Sequence, residues 1–513
     1  MNETRNAKIL FFEELCETVA ALRRAGKTVV LSHGVFDIIH PGIIRHLTDS
    51  RAMGDVLVVT VIKDAHVRRG PGRPVFPEDS RAEAVAALGL VDYVCIVDDD
   101  VPFSCIRQIN PDIFAKGQAY NDRDRKIHRK IFEEERELYF GKTRILETRG
   151  FTFSTTQFIN NFLEIYPEEV KHCIRQYSAR YSFDRIQEAV DSLKGLKVLI
   201  VGDGIVDEYH YTSVLGKSGK ANLVVNKYLT HELFAGGALA VANHVASVCD
   251  QVTLVTLLGA EDSREDFVRG ALKPNIRLKP FLREDGPTVI KRRFVHEYTN
   301  QKLFEINYLN ERNIAPQTEA QVLAYLEREA PKYDLVLASD FGHGFITPRI
   351  IETLTRHAKL LAVNTQTNAA NRGFNLVTKY PGPHFVCLDE GEARLAMQDK
   401  LGEIGDVARD LARRLGAEGL IVTLGKKGAL GVDRQGVLTA TPGFSSKVVD
   451  TVGAGDAFFS YTALLFARGV PLDMVVFLGN AVGAIAVQVI CNKKAVAKHE
   501  LLEFVHTLLN QAK

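Results

Sequence analysis

The chain has almost no net charge, no paired cysteines and no long uninterrupted apolar run, and each lack removes a class of function. Lysine and arginine number 64 against 63 aspartate and glutamate, a formal net charge of +1 over 513 residues. No global field therefore draws the protein to nucleic acid or to an acidic membrane surface, and any anionic ligand must be held by a local site. The seven cysteines, Cys16, Cys95, Cys105, Cys173, Cys249, Cys387 and Cys491, form no CxxC pair and no cluster with histidine at zinc spacing. That usage reads as reduced thiols in a cytoplasm. Met1–Asn6 has no apolar signal-peptide core. The longest apolar run, Met474–Ile490, is broken by Asn480 and Gln488, and reads as a buried helix rather than a membrane span. With 46% hydrophobic and 25% charged residues, nothing suggests disorder, and the length suits two or three domains with substantial cores.

What is present centres on Val449–Phe458, the string Val-Asp-Thr-Val-Gly-Ala-Gly-Asp-Ala-Phe, which runs into a long apolar helix pattern. A two-glycine loop turning into a helix start leaves the amides of Ala454, Gly455 and Asp456 without partners. Together with the helix dipole they make a seat for a phosphate. Asp456 lies at the edge of that seat, where a carboxylate can take the proton of a hydroxyl attacking a phosphoryl group. A Gly-rich turn with an aspartate at the helix cap is the plainer interpretation of GxGD alone.

The whole string resembles the signature of the ribokinase/PfkB family of carbohydrate kinases, and further pieces stand in that family's order. The resemblance implies an anion hole at Gly453, Ala454 and Gly455, with Asp456 as the catalytic base. Asp207, after the strand pattern Lys197–Val201, matches the aspartate that holds sugar hydroxyls. Leu223–Phe234 suits the small β-sheet lid, which would exclude water from the transfer. Gly236 and Gly237 match the paired glycines that approach the sugar, although Ala240 stands where the family has asparagine. Thr423, Gly425 and Gly428 match the strand and turn that bind ATP, and Asn480 begins a small-residue helix stretch beside the adenine. Asp389 and Glu392 fall on the motif that organises magnesium through its waters, with Asp389 replacing an asparagine. Asp340–Gly344 and Asn364–Asn368 stand where heptose kinases carry DYxKG and DPKG. Amides there replace charged side chains, an exchange that suits a phosphorylated sugar less well unless Lys291, Arg292 and Arg293 compensate.

The first part of the chain alternates strand and helix patterns, beginning with the strand Thr28–Ser32. The turn that follows, through Gly34, Phe36, Asp37, His40 and Gly42, resembles the GxFDxxHxGH motif of cytidylyltransferase-like nucleotidyltransferases. Ile43 occupies the second histidine position. Lys116 with Gly117 resembles that family's KGxxY, Ser154, Thr155 and Thr156 its phosphate-binding helix start, and Gly70–Pro74 its glycine- and arginine-bearing loop. Isoleucine cannot donate to a phosphate, and losing one such donor costs on the order of 10²-fold in rate or more. The first part is therefore either an active nucleotidyltransferase or a non-catalytic nucleotide- or sugar-binding module that regulates or dimerises the kinase.

These patterns predict an α/β protein in three stretches. Residues 1–165 form a Rossmann-like nucleotidyltransferase domain, 166–194 a solvated helical linker, and 195–513 a ribokinase-like domain with a small β lid. The combination resembles the bifunctional heptose kinase/nucleotidyltransferases of ADP-heptose synthesis with the two halves in reverse order. It implies magnesium and ATP, a sugar or sugar phosphate and a nucleotide as partners, no nucleic acid, no membrane, a cytoplasmic location and a possible homodimer.

Overall fold

Runs of β-branched residues separated by amphipathic segments set the architecture, because strands buried on both faces read as near-continuous Val, Ile and Leu. In the computed structural model, residues 6–67, 74–98, 103–117, 143–148, 166–445 and 448–510 are described. They divide into two compact units, the first up to Pro167 and the second Glu168–Leu509.

The first unit is a five-stranded sheet of β1 (Val29–Gly34), β2 (Val56–Ile62), β3 (Tyr93–Val97), β4 (Ile113–Gly117) and β5 (Arg144–Thr148). Their spatial order is β3-β2-β1-β4-β5, and every pairing is parallel. All seven residues of β2 are buried. The order reverses between β1 and β4, the switch point at which such sheets open a crevice beyond the strands' carboxyl ends. The motif turn after β1 lies there, followed by the helix Pro41–Arg51 with Pro41 in its first turn and His40 as its cap.

The second unit is organised by one long strand, β6 (Lys197–Lys217), which serves two sheets. Its first part lies in a core sheet with β8 (Gln251–Glu261), β9 (Ile276–Pro287), β12 (Leu335–Asp340), β13 (Leu361–Thr365), β14 (Phe385–Asp389) and β15 (Gly419–Thr423), all paired in parallel. Two antiparallel strands, β16 (Ala429–Asp433) and β17 (Leu438–Thr441), finish the edge. The second part of β6 continues into a lid with β7 (Val224–Gly237), β10 (Val289–His296) and β11 (Lys302–Tyr308). Alternation along the lid strands puts Asp207, Tyr209, Lys291, Arg293 and Glu305 on one face, and Glu208, His210, Arg292, Phe294, Phe304 and Ile306 on the other.

Residues 166–194 do not behave as a solvated linker. The helix Glu168–Arg180 buries Val170, Cys173, Ile174 and Tyr177, an i, i+3, i+4, i+7 stripe. The Tyr177 ring stacks on Phe477 at 4.5 Å, and the Tyr181 hydroxyl donates to the Asp473 carboxylate at 2.8 Å. The two helices Glu168–Arg180 and Phe183–Asp191 thus belong to the second unit. No described helix is long and apolar enough to cross a membrane.

Candidate active sites

The glycine loop of the second unit meets the helix Ala454–Ala467 at Gly453, which caps it with φ +86°. A Cβ on Gly453 would collide with the side chain of Asn492, so only glycine fits that turn. The Ala454 amide turns back to the Thr451 carbonyl at 3.3 Å. Among the described residues, Gly455 and Asp456 are then the two first-turn amides with no backbone acceptor, so the three open amides expected from the sequence reduce to two.

Asp456 is buried in the first turn of that helix. Burial pushes its carboxyl up to about 7; the negative charge of Asp207 pushes the same way, Lys291 opposes, and Glu392 adds to the rise. These groups therefore share one electrostatic neighbourhood. Asp207 is buried, bonded to Arg293, and a Cβ on Gly236 would occupy the space of its carboxylate. Arg293 also meets Glu305 at 2.7 Å. Lys291 is buried, its ammonium 5.5 Å from the Phe341 ring centroid, and burial lowers its pKa. Of the three consecutive cations, Lys291 and Arg293 face the site while Arg292 pairs with Glu208 at 2.5 Å on the opposite lid face. The period of two along the strand carries that distinction, and it could have been drawn from the sequence.

The remaining kinase positions take several roles. Gly237 ends β7 and caps the helix Ala238–Ala246, in which Ala240 is buried. Thr423 ends β15 and donates to the Leu388 carbonyl at 3.4 Å. Gly425 and Gly428, with φ +58° and +100°, shape the turn after it. Asn480 is buried, with its amide nitrogen held by the carbonyls of Val476 and Thr441 at 3.1 and 3.4 Å. Asp389 and Glu392 form a reciprocal capping box on the helix Glu390–Met397. Glu392 accepts from the amides of Thr367 at 2.8 Å and Asp389 at 2.9 Å, while burial and then Asp389 raise its carboxyl to about 7. No group of three or more metal-ligating side chains occurs among the described residues. This pair fits a hydrated cation held through water, since Asp389 is exposed and each Glu392 oxygen retains a lone pair beyond its one amide.

Of the amides in Asn364–Asn368, Asn364 donates to the Cys387 carbonyl at 2.8 Å, and Asn368 joins two later asparagines in holding a neighbouring loop. Asn368 donates to the Phe341 carbonyl at 2.8 Å, Asn371 to the same carbonyl at 2.6 Å, and Asn375 to the Asp340 carbonyl at 2.9 Å. They stitch the 366–375 loop to the Asp340–Gly344 loop, whose Asp340 also pairs with Lys379 at 2.6 Å. Their polarity serves backbone carbonyls that burial would otherwise leave unmet.

In the first unit, Asp37 is buried and accepts from the amides of Val75 at 2.8 Å and Phe76 at 3.0 Å. It anchors the loop after β2 rather than facing open space. Arg81, fully buried, donates to the carbonyls of Val35 at 2.5 Å and Phe76 at 2.9 Å and to Asp64 at 2.6 Å, tying the motif turn to the same loop. Phe36 is buried with φ +52°, and its ring lies over Gly34. His40 accepts from the Gly42 amide at 3.1 Å, and burial lowers its pKa. Ile43 is half-buried against the sheet core. His46, one turn later, contacts Ser32 at 2.8 Å and Thr148 at 2.8 Å, so both its ring nitrogens are engaged. Lys116 lies in β4. Ser154, Thr155 and Thr156, and all of Gly70–Pro74 except Pro74, lie outside the described residues.

Comparison with known proteins matches residues 196–491 to the pfkB family carbohydrate kinase model and residues 31–161 to the cytidylyltransferase-like model. The bifunctional protein HldE of Rhodopseudomonas palustris is 29% identical over 323 residues, 61% of this chain and 64% of that protein. The HldE of Trichlorobacter lovleyi is 36% identical over 166 residues, 32% of this chain and 33% of that protein. The matches thus span from a third to just under two thirds of those relatives' lengths. Among solved structures, phosphofructokinase-2 from Escherichia coli in complex with potassium superposes with a TM-score of 0.50 at 14% identity, covering 61% of this chain and 99% of that one. At that identity the likeness concerns the fold alone.

Proposed function

We propose, for a chain that belongs to the pfkB family of carbohydrate kinases, that the second unit transfers the γ-phosphoryl group of ATP to a hydroxyl of a sugar or sugar phosphate. One observation carries this: a buried carboxyl held at about 7 beside two open amides at a helix start. Such a group is half ionised near neutrality, where a general base works best. Asp456 takes the hydroxyl proton as the sugar oxygen bonds to the γ-phosphorus, and the bond to the β–γ bridging oxygen breaks to release ADP. The amides of Gly455 and Asp456, in the loop of Gly453 and Ala454, meet the phosphate charge without reorganising. Asp207, braced by Arg293, orients the sugar, and the lid strands exclude water. Thr423, Gly425, Gly428 and Asn480 frame the nucleotide side. Asp389 and Glu392 are the residues that would hold the waters of a magnesium ion, which would spread the phosphate charge. The test is a screen of sugars and sugar phosphates for ADP release, with mass spectrometry of the products. An Asp456→Asn chain that kept full turnover with the productive sugar would overturn the base assignment.

For the first unit the favoured function is nucleotidyl transfer: a sugar phosphate attacks the α-phosphorus of a nucleoside triphosphate and pyrophosphate leaves. With the kinase this would make a nucleotide sugar of the ADP-heptose kind, the product that the resemblance of the two halves implies, and the HldE relatives are named as bifunctional proteins. A second reading rests on Ile43, whose side chain packs into the core where a phosphate donor would be needed. In it, the first unit binds a nucleotide or sugar without chemistry and regulates the kinase. Ile43→His separates the two: a native chain that already forms nucleotide sugar and pyrophosphate at rates the substitution barely improves excludes the binding module.

A homodimer through the outer lid face belongs to the same proposal. Phe304 and Ile306 are exposed there on neighbouring register positions, with Tyr228 exposed on β7, an apolar cluster of the kind that marks an interaction surface. Sedimentation of the native chain beside Phe304→Lys checks it.

A further inference from the structure

Asp450, immediately before the glycine loop, is buried and takes four hydrogen bonds from four different segments. Its Oδ1 accepts from the Lys302 ammonium at 2.5 Å and from the Val452 amide at 3.0 Å. Its Oδ2 accepts from the Tyr209 hydroxyl at 2.8 Å and from the Cys491 amide at 3.1 Å. Lys302 and Tyr209 belong to lid strands β11 and β6. Val452 leads into the anion-binding loop. Cys491, with φ +49°, precedes Asn492, whose side chain lies against Gly453 where a Cβ would be. One carboxylate therefore joins two lid strands to both walls of the loop that presents the Gly455 and Asp456 amides. A second lid tether exists at Glu232, which meets Lys493 at 2.6 Å and the Tyr211 hydroxyl at 2.8 Å, and among the described residues it makes no hydrogen bond to the glycine loop.

We propose that Lys302 is a positioning residue that reports lid closure to the phosphate seat through Asp450. With β11 seated, the ammonium neutralises the buried carboxylate and fixes it where it holds the Val452 and Cys491 amides. When the lid lifts, Asp450 loses its only described cationic partner. A buried carboxylate without a counter-charge draws in water or turns toward it, and the amides it held are released. The phosphate seat is then well formed only under a closed lid. Because such coupling is reciprocal, a sugar that closes the lid tightens nucleotide binding, and nucleotide tightens sugar binding. This protects ATP from transfer to water when no sugar is present. The inference rests on the kinase reading for its consequence, while the linkage itself is read without any turnover.

Hydrogen exchange of the peptide 448–458 and calorimetric titration with ADP, on the full chain, test it. Lys302 is partly exposed on the lid's edge strand, so Lys302→Met should fold. It should speed exchange across 448–458 and weaken ADP binding about tenfold, within the usual range of coupling between sites. Lys302→Arg should keep most of both, and methylammonium should restore part of the loss in Lys302→Ala. Lys493→Met, which cuts the other tether, should leave the 448–458 exchange at the native rate. Unchanged exchange in Lys302→Met, or the same increase in Lys493→Met, overturns the proposal. If no sugar is phosphorylated and ADP does not bind even to the native chain, the kinase reading fails while the exchange comparison still decides the linkage.

Discussion

Asp207 and Asp456 occupy one buried neighbourhood, and the charge on the first, after burial itself, holds the carboxyl of the second at about 7. Two carboxylates in one site separate into roles when their surroundings differ. Asp207 is bonded to Arg293, whereas no described side chain hydrogen-bonds the Asp456 carboxylate. The pH dependence of turnover should therefore show an ascending limb near 7, as Asp456 becomes able to accept a proton. Rates with a saturating sugar between pH 5 and 9 check this, and Asp456→Asn should lower kcat by roughly 10²–10⁴-fold.

Removing Lys291 should move that limb. The lysine ammonium pulls the Asp456 carboxyl down, so Lys291→Met should shift the ascending limb to higher pH as well as slow the reaction. A slower enzyme with an unmoved limb would mean that Lys291 acts on the substrate alone.

Stability should carry the same signature with a definite sign. The folded-state pKa of Asp456 is raised from 3.8 to about 7, so the folded chain binds more protons than the unfolded chain between those values. Its contribution to stability is then full below the unfolded pKa and is lost as pH rises through about 7. Asp456→Asn should melt higher than the native chain at pH 8, by a few degrees, with the gap closing toward pH 4. Glu392, also held at about 7, titrates in the same window, so the informative quantity is the difference between variant and native chain.

Gly453→Ala should lose both nucleotide binding and stability. The residue sits at φ +86° with Asn492 against its Cα, and forcing a side chain into such a conformation costs about 1–3 kcal/mol. Adding Asn492→Gly should recover part of the melting temperature by removing the collision, but not the part due to φ. Calorimetric melts of the two variants separate the contributions.

A fragment of residues 168–510 should fold better than one beginning at 195. The shorter fragment lacks Tyr177 and Tyr181, uncovering Phe477 and leaving Asp473 without its two tyrosine hydroxyl partners. Soluble yield and cooperative melting of the two fragments decide this.

Much of the architecture lay open in the chain because it is local. The strand Thr28–Ser32, the glycine turn after it and the helix from Pro41 follow from burial, cap and proline preferences that act within a few residues. The glycine loop at Val452–Gly455 was equally legible, since only glycine tolerates the turn that Gly453 makes. Residues whose function depends on distant partners were harder. Asp37, legible in the chain only as a position of the motif turn, holds the amides of Val75 and Phe76, 38 and 39 residues away. Of the amides in Asn364–Asn368, read as part of the sugar pocket, Asn364 and Asn368 satisfy the backbone carbonyls of Cys387 and Phe341. The helix from Glu168 looked solvated because its four buried positions are spread among charges.

By itself the sequence determined the alternation of strand and helix, the two motif turns and the aspartate placed at a helix start, because periodicity and backbone preference need no partner. Tertiary structure alone decided which charges meet: that Lys302, 148 residues before Asp450, reaches that carboxylate, and that burial lifts Asp456 toward neutrality. Charge pairing and desolvation are set by distance and enclosure, and neither exists until the chain has folded.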